Sequence, residues 1–118
     1  GKPLVIEEFG FPRDGEAYAP SASTGFREDY YRLIYGAVEA SWKAGGVIAG
    51  SNFWAWNGEA RTPHPDARFR DGDRAYMGDP PHEPQGWYGV FDSDTAMLAD
   101  LKAHAGRRCL GVTSDCVF

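Results

Sequence analysis

The sequence predicts an α/β fold, and within that class the C-terminal part of a (β/α)8 TIM barrel. Three observations predict it: an apolar run at residues 3–9, a helical pattern at 25–44, and a second apolar run at 47–56 that follows two glycines. A strand, a helix and a strand in this order form a right-handed βαβ crossover, so the two strands should be parallel. Two such strands leave unpaired edges, and we therefore expect the rest of a barrel to complete the fold.

The first strand ends in two carboxylates, Glu7 and Glu8, after a run typical of a strand buried on both faces. Ionised carboxylates are costly there unless they are paired or used, and the carboxyl ends of parallel strands are where chemistry is located. Glu8 is therefore the first candidate for a catalytic residue, although a structural brace is an alternative. Strand alternation places Glu8 on the face of Leu4 and Ile6, towards the barrel interior, and predicts that Glu7 is a buried, paired group facing the helix layer.

The helix is predicted over 25–44, with Thr24 as its N-cap and Gly45 directly after it. Residues at three- and four-residue spacing predict the face that packs on the sheet. They are Phe26, Tyr30, Leu33, Ile34, Ala37, Ser41 and Ala44.

The second strand, at 47–56, carries Trp54 and Trp56 on the face of Gly50 and Asn52. The apolar face of a sugar ring stacks on indole, so a Trp at a strand end suits a sugar subsite, whereas core packing is the commoner role of a strand Trp.

Residues 57–92 show no sustained periodicity, and a stretch of this length inside a compact domain is usually a functional loop. Its polar side chains are candidates for hydrogen bonds to sugar hydroxyls, or simply solvated loop residues. They are Asn57, Glu59 and Arg61. Gln85 and Trp87 would either shape a cleft or pack the loop on the barrel.

A second helix is predicted at 94–105, capped by Ser93 or Asp94. These patterns divide the chain into a partial barrel at 1–105 and a tail of unknown role at 106–118. Two cysteines, Cys109 and Cys116, would form a small local disulfide in an oxidising compartment, or stay unpaired.

Composition excludes several functions. A hydrophobic content of 42% argues against disorder, and no apolar run is long enough to span a membrane. The net charge is −5 without a basic stripe, which argues against nucleic-acid binding. Asp71 and Asp73 do not continue as a calcium loop, because Ala75 stands where a third ligand belongs. We expect no metal site and no cofactor.

Three segments together resemble glycoside hydrolase family 5, and the resemblance covers about residues 1–105. Residues 1–10, Gly-Lys-Pro-Leu-Val-Ile-Glu-Glu-Phe-Gly, resemble its seventh strand, where the nucleophilic Glu precedes an aromatic residue and Gly. Residues 49–58, Ala-Gly-Ser-Asn-Phe-Trp-Ala-Trp-Asn-Gly, resemble its eighth strand, which ends in a sugar-stacking Trp. Residues 78–95, which contain Glu-Pro-Gln-Gly, resemble the bacterial β-mannanase branch.

The resemblance implies a retaining enzyme with two carboxylates roughly 5–5.5 Å apart. It implies Glu8 as the nucleophile and Trp54 as a sugar platform, with Trp56, Asn57 and Glu59 as further substrate-binding candidates. The family's acid/base Glu follows an Asn, and no Asn-Glu pair occurs in this sequence. We therefore expect the chain to carry half of the catalytic pair and to be inactive alone.

The function implied is that of an endo-β-1,4-mannanase acting on β-mannan or related oligosaccharides. The alternatives are a β-1,4-glucanase of the same family, a non-catalytic carbohydrate-binding fragment, and a partial barrel that completes itself by association. We expect an extracellular or periplasmic location, because polysaccharides do not enter the cytoplasm.

Overall fold

The computed structural model describes residues 1–74 and 77–109, with the side chains of 108 and 109 left out. The elements in chain order are β1 (Leu4–Phe9), a 3-10 turn (Asp14–Glu16), α1 (Gly25–Lys43), β2 (Ile48–Phe53), β3 (Trp56–Gly58), β4 (Val90–Phe91) and α2 (Thr95–Cys109). Cys116 and the sulfur of Cys109 lie outside the described residues, so their pairing stays a prediction, as does the role of the tail.

The first two strands form a parallel pair with α1 packed against them, which confirms the predicted βαβ unit. The register runs from Leu4 opposite Ile48 to Phe9 opposite Phe53. A buried core lies between the sheet and the helices, and its aromatic rings bury most of the apolar area. Its members are Phe9, Tyr31, Tyr35, Val90 and Met97.

The buried face of α1 differs in part from the predicted one. Tyr30 and Ile34 pack against the core as predicted. Phe26 and Leu33 are 68% and 69% exposed, whereas Tyr31 and Arg27 are fully buried. Arg27 is tolerated in the interior because its guanidinium donates hydrogen bonds to backbone carbonyl oxygens, and burial lowers its pKa to about 10. The acceptors are Phe11 O at 2.5 Å, Gly89 O at 2.6 Å and Trp87 O at 2.9 Å. The spacing of apolar residues in the sequence does not predict a buried Arg27, because two of the carbonyl oxygens that accept its hydrogen bonds lie 60 or more residues away in the chain.

The cap of α1 also differs from the prediction. Thr24 occupies the N-cap position, but its hydroxyl donates to Glu28 Oε1 at 2.7 Å and makes no capping bond. The Asp14 carboxylate caps the helix instead, accepting hydrogen bonds from the amides of Gly25 at 3.1 Å and Phe26 at 3.0 Å. The Ser23 hydroxyl bond and these amides lower the pKa of Asp14.

Strand alternation breaks at the end of β1. The register shifts between Glu7 and Phe9, and Glu8 has a φ of 53°, so Ile6 and Phe9 both pack against the core on the helix side. The predicted orientation of Ile6 towards the barrel interior is therefore wrong. Glu7 is paired as predicted, because Asn52 Nδ2 donates to both its oxygens at 3.0 and 3.1 Å, but it is exposed rather than buried.

The second predicted strand divides in two. β2 ends at Phe53, and β3 pairs in parallel with β4. The chain changes partner in between, since the Trp54 amide donates to Phe9 O at 2.9 Å and Ala55 O accepts from the Val90 amide at 2.8 Å. The sequence shows no break there because the apolar pattern continues through it.

The second helix packs against α1 and runs four residues past its predicted end. The His104 ring stacks on Tyr35 with centroids 4.0 Å apart, and its Nδ1 lies 2.9 Å from Glu39 Oε1. Asp94, one of the predicted caps, points its carboxylate away from the helix amides and binds Arg13 through both oxygens, at 2.7 and 2.8 Å. Among the described residues, no helix is both long enough and apolar enough to span a membrane.

Candidate active site

A cavity of about 440 Å³ opens at the carboxyl ends of β1 and β2. Glu8 enters it from the end of β1, and Trp54 enters it directly after β2. The rest of its lining comes from Gly10 and the loop after β3, which supplies Gly78, Asp79, Pro80, Glu83 and Tyr88. The structure thus brings the predicted nucleophile and the predicted platform to one cavity.

The register break at Glu8 is what directs this side chain to the cavity. Regular alternation from Ile6, which packs on the helix side, would turn Glu8 towards the helix layer. The positive φ of Glu8 and the extra residue opposite β2 turn it out to the exposed end of the strand. Bulges of this kind are common next to functional sites, where they re-aim a side chain.

Gly10 brings the two strand ends into close contact. A Cβ on Gly10 would lie 2.6 Å from Trp54 O, closer than real Cβ atoms approach, and 3.1 Å from Tyr88 Cβ, a tight contact. Because position 10 has no side chain, the backbone after Glu8 can approach Trp54 closely.

The loop side of the cavity is built on buried polar side chains. Gln85 is 2% exposed; its Oε1 accepts from the Met77 amide at 3.1 Å, and its Nε2 donates to Asp79 O at 2.8 Å. Asp79 is equally buried, and its Oδ1 accepts from Trp54 Nε1 at 3.2 Å. Gln85 thus holds the loop together. It does not line the cavity, so the structure gives no support to the first of its two predicted roles, that of shaping a cleft.

Three other predicted substrate-binding residues do not line this cavity. Trp56 is 56% exposed in β3, and Glu59 is exposed in the loop. Asn57 packs on the turn after the loop, where a Cβ on Gly89 would lie 2.8 Å from its Nδ2. A sugar-binding role for these residues stays a prediction, without support from the geometry.

Sequence reasoning did not assign three residues of the lining to the site: Asp79, Glu83 and Tyr88. The available signal was the loop segment 78–95, which the resemblance already marked. Which of its side chains face Glu8 depends on the path of the loop, and residue order alone does not show that path.

The cavity is acidic. Glu8, Asp79 and Glu83 line it, and no Lys or Arg among the described residues does so. Such a site suits a neutral polyhydroxylated ligand and stabilises positive charge that develops at a reacting carbon. No group of three or more His, Cys, Asp or Glu side chains that could hold a metal ion occurs within residues 1–74 and 77–107.

A carboxylate and a Trp meet at the carboxyl ends of parallel strands, the edge at which α/β barrel enzymes carry their active sites. Comparisons with known proteins specify the class. The profile described as GH family 5 β-mannosidase-like matches residues 1–109. The chain therefore belongs to glycoside hydrolase family 5, in its β-mannosidase-like group.

Individual relatives agree with this family. A glycoside hydrolase family 5 mannosidase from Rhizomucor miehei is 32% identical in sequence with a TM-score of 0.73, and the match covers 92% of this chain and 27% of that one. A structure of that mannosidase in complex with mannosyl-fructose matches equally well. A putative mannan endo-1,4-beta-mannosidase 9 from Oryza sativa subsp. japonica is 42% identical over 53 residues, which is 45% of this chain and 12% of the relative.

The chain spans about an eighth of the curated relative and about a quarter of the fungal structure. The likeness to a family of (β/α)8 barrels agrees with the predicted α/β class and with a partial barrel. These relatives are fungal and plant proteins, and the resemblance to the bacterial branch stays a prediction.

Proposed function

We propose that this chain is the C-terminal part of a retaining endo-β-1,4-mannanase, in which Glu8 is the nucleophile and Trp54 a sugar-stacking platform. The observation that carries the proposal is the meeting of Glu8 and Trp54 in one cavity at the carboxyl ends of parallel strands. The family's mannosidase-like character supports a mannose-containing substrate.

The proposed reaction has two steps. A Glu8 carboxylate oxygen attacks the anomeric carbon, and the glycosidic C–O bond breaks as an acid/base residue protonates the leaving oxygen. Water then attacks the same carbon, gives its proton to the acid/base residue and releases Glu8. The acid/base residue would come from the part of the barrel outside this chain, so we expect the 118-residue chain alone to be inactive.

Two features of the cavity fit this chemistry. The acidic lining would stabilise the oxocarbenium-like transition state, in which positive charge develops on the sugar ring. The indole of Trp54 offers an apolar surface at the same cavity, on which the C–H face of a sugar can stack. Trp56, exposed at the start of the loop, is the remaining aromatic candidate for a more distant sugar.

A β-1,4-glucanase of the same family is the nearest alternative, and the names of the relatives favour mannan over it. A carbohydrate-binding module is a weaker alternative, because a parallel βαβ unit differs from the β-sandwich of most such modules.

We also propose an extracellular or periplasmic location, on the ground that a polysaccharide substrate stays outside the cell.

The test is hydrolysis of β-mannan and of a β-glucan by the complete enzyme that contains this chain, with the 118-residue chain assayed beside it. We expect release of mannan oligosaccharides by the complete enzyme, much slower glucan cleavage, and no turnover by the chain alone. Faster glucan cleavage would support the glucanase. Turnover by the chain alone would contradict an acid/base residue outside it.

The nucleophile assignment is tested by Glu8→Gln in the complete enzyme. We expect turnover to fall by about 10³-fold or more, while mannan binding changes little, because the amide keeps the size of the side chain but cannot attack. Glu7→Gln is the matched control, since Glu7 is the neighbouring carboxylate and binds Asn52 instead of lining the cavity. Equal losses in the two variants would contradict the assignment.

A further inference from the structure

We propose that Asp79 is a positioning residue that fixes the indole ring of Trp54 in the cavity. The inference rests on the proposed role of Trp54 as a sugar platform. It concerns a side chain that is 2% exposed and therefore acts through Trp54 rather than on a sugar directly.

The Asp79 carboxylate is held at both oxygens. Oδ1 accepts from Trp54 Nε1 at 3.2 Å, and Oδ2 accepts from the Gly86 amide at 2.6 Å. With Oδ2 held by the Gly86 amide, Oδ1 is presented to the indole N–H in a fixed direction. Gln85 binds this residue at its backbone, where Gln85 Nε2 donates to Asp79 O at 2.8 Å, and not at its carboxylate.

Gly78, the residue before Asp79, lies at the neighbouring benzene carbons of the same indole. This glycine has a φ of +89°, and a Cβ on it would lie 3.3 Å from Trp54 Cζ2 and 3.5 Å from Cη2. The loop backbone thus packs closely on the benzene carbons next to the N–H group that Asp79 binds. These two adjacent contacts restrict rotation of the indole, and stacking on a sugar requires a ring of fixed orientation.

The charge of Asp79 adds a second effect. A carboxylate that accepts from the indole N–H makes a stronger hydrogen bond than a neutral acceptor. It also pushes electron density into the ring, whose negative face attracts the partly positive C–H groups of a sugar. Loss of Asp79 should therefore weaken substrate binding although the ring is still present.

A purely structural role, holding the loop through Gly86, is the competing explanation, and Gln85 provides a control for it. Gln85 is as buried as Asp79 and ties the same loop, but its side-chain hydrogen bonds go to backbone groups. Gln85→Met should therefore loosen the loop without removing the partner of the indole.

The experiment measures kcat and KM on mannan oligosaccharides for the complete enzyme. Trp54 Nε1 and the Gly86 amide bind different oxygens of Asp79, and in Asn one of these oxygens is replaced by an NH2 donor, so the two donors cannot both keep their acceptors. For Asp79→Asn we expect KM to rise roughly tenfold with a smaller change in kcat, the scale of a lost hydrogen bond to a charged group. For Gln85→Met we expect a lower melting temperature and a KM within about twofold of the wild type.

A double-mutant cycle shows whether Asp79 acts through Trp54. Trp54→Phe keeps an aromatic ring without the N–H, so Asp79→Asn should raise KM little further in that background. The same roughly tenfold rise in both backgrounds, or an unchanged KM in Asp79→Asn, would overturn the proposal.

Selective ¹⁵N labelling of Trp gives a readout that is independent of turnover. The Trp54 indole proton should resonate at lower field than that of the exposed Trp56, and Asp79→Asn should move it while Gln85→Met does not. A Trp54 resonance like that of Trp56 in the wild-type enzyme would overturn the proposal even if Asp79→Asn does not fold. A shifted resonance in an enzyme without mannan hydrolysis would refute the proposed function but not the pairing.

Discussion

Two regions of the chain are built by different forces. The βαβ unit at residues 4–53 is held by parallel strand pairing and an aromatic core around Phe9 and Tyr31. The loop at 59–89 has no sustained regular structure within its described residues, 59–74 and 77–89, and buried polar side chains hold it, chiefly Asp79 and Gln85. Non-directional burial of apolar area is enough to build the scaffold, whereas directed hydrogen bonds shape the wall of the cavity.

The contrast is not absolute, because polar bonds also join the two regions. Arg27, on the scaffold helix, donates to carbonyl oxygens on both sides of Tyr88, which lines the cavity. Arg13, after β1, binds Asp94 at the start of α2. Buried Arg27 therefore attaches the cavity loop to the scaffold, and buried Arg13 attaches α2.

The largest expected effect comes from breaking the ion pair that joins the βαβ unit to the start of α2. Arg13 and Asp94 have side chains only 1% and 4% exposed, and Asp94 also accepts from the Phe91 amide at 2.8 Å. Arg13→Ala would leave a buried carboxylate without its cation, which costs about 3–5 kcal/mol of unfolding free energy. Urea unfolding of the complete enzyme measures it.

The control for this prediction replaces both members of the pair, as Arg13→Met with Asp94→Leu. The double variant should be more stable than Arg13→Ala, because no charge is left buried without a partner. A loss below about 1 kcal/mol in Arg13→Ala would show that α2 is joined to the βαβ unit mainly by apolar packing.

A smaller effect, dependent on pH, is expected at the cap of the scaffold helix. The pKa of Asp14 is lowered, first by the Ser23 hydroxyl bond and then by the Phe26 amide. A lowered folded-state pKa means that the stabilisation is fully present above the unfolded value and is lost as pH falls through the folded value. The melting temperature of Asp14→Ala should therefore lie below that of the wild type at pH 7, and the difference should shrink towards pH 3.

Ser23→Ala provides a matched variant for Asp14, because it removes the hydroxyl donor and leaves the two capping amides in place. Without this donor the pKa of Asp14 should be lowered less, so the pH range over which the cap loses its stabilising effect should become narrower. The two amide bonds should keep part of the stabilisation of the helix. A difference between wild type and Asp14→Ala that is constant from pH 7 to pH 3 would contradict capping by the ionised carboxylate.

The smallest effect is expected in the apolar core. The hydroxyl of Tyr31 is buried and has no hydrogen-bond partner within the described residues, and burial raises its pKa. Tyr31→Phe should therefore be neutral or stabilising, within about 1 kcal/mol, because it removes an unsatisfied polar group and keeps the ring. Tyr31→Ala is the control and should cost about 3–5 kcal/mol. A marked loss in Tyr31→Phe would reveal a partner for the hydroxyl in the rest of the barrel.

Much of the fold could be predicted because its signals are local. The apolar runs gave the order and type of the main elements, and the predicted ends of α1 and β1 lie within one residue of the observed ones. The ends of the second strand and of α2 were predicted less accurately. The strand changes its pairing partner after Phe53, and the helix continues past Ala105 to Cys109 in spite of Gly106, a poor helix former.

The site was predicted in part. Glu8 and Trp54 lie at one cavity because each stands at the end of a strand, and strand ends meet at one edge of a sheet. Their roles stay predictions. Asn57 and Glu59 were predicted as polar residues at the start of the loop, and they do not line the cavity. Asp79 was missed because its partner lies 25 residues earlier in the chain.

The sequence alone determined the βαβ order, the strand-end position of Glu8 and the resemblance to family 5, since periodicity and short motifs record local backbone preference and burial. Only the tertiary structure decided which face of α1 is buried, that Asp14 caps this helix, and that Asp79 holds Trp54. The buried face of α1 depends on the packing of its aromatic side chains against Phe9 and on the hydrogen bonds of Arg27. The other two depend on a hydrogen bond between separate segments of the chain. Such a bond forms only when the whole fold brings donor and acceptor to within about 3 Å.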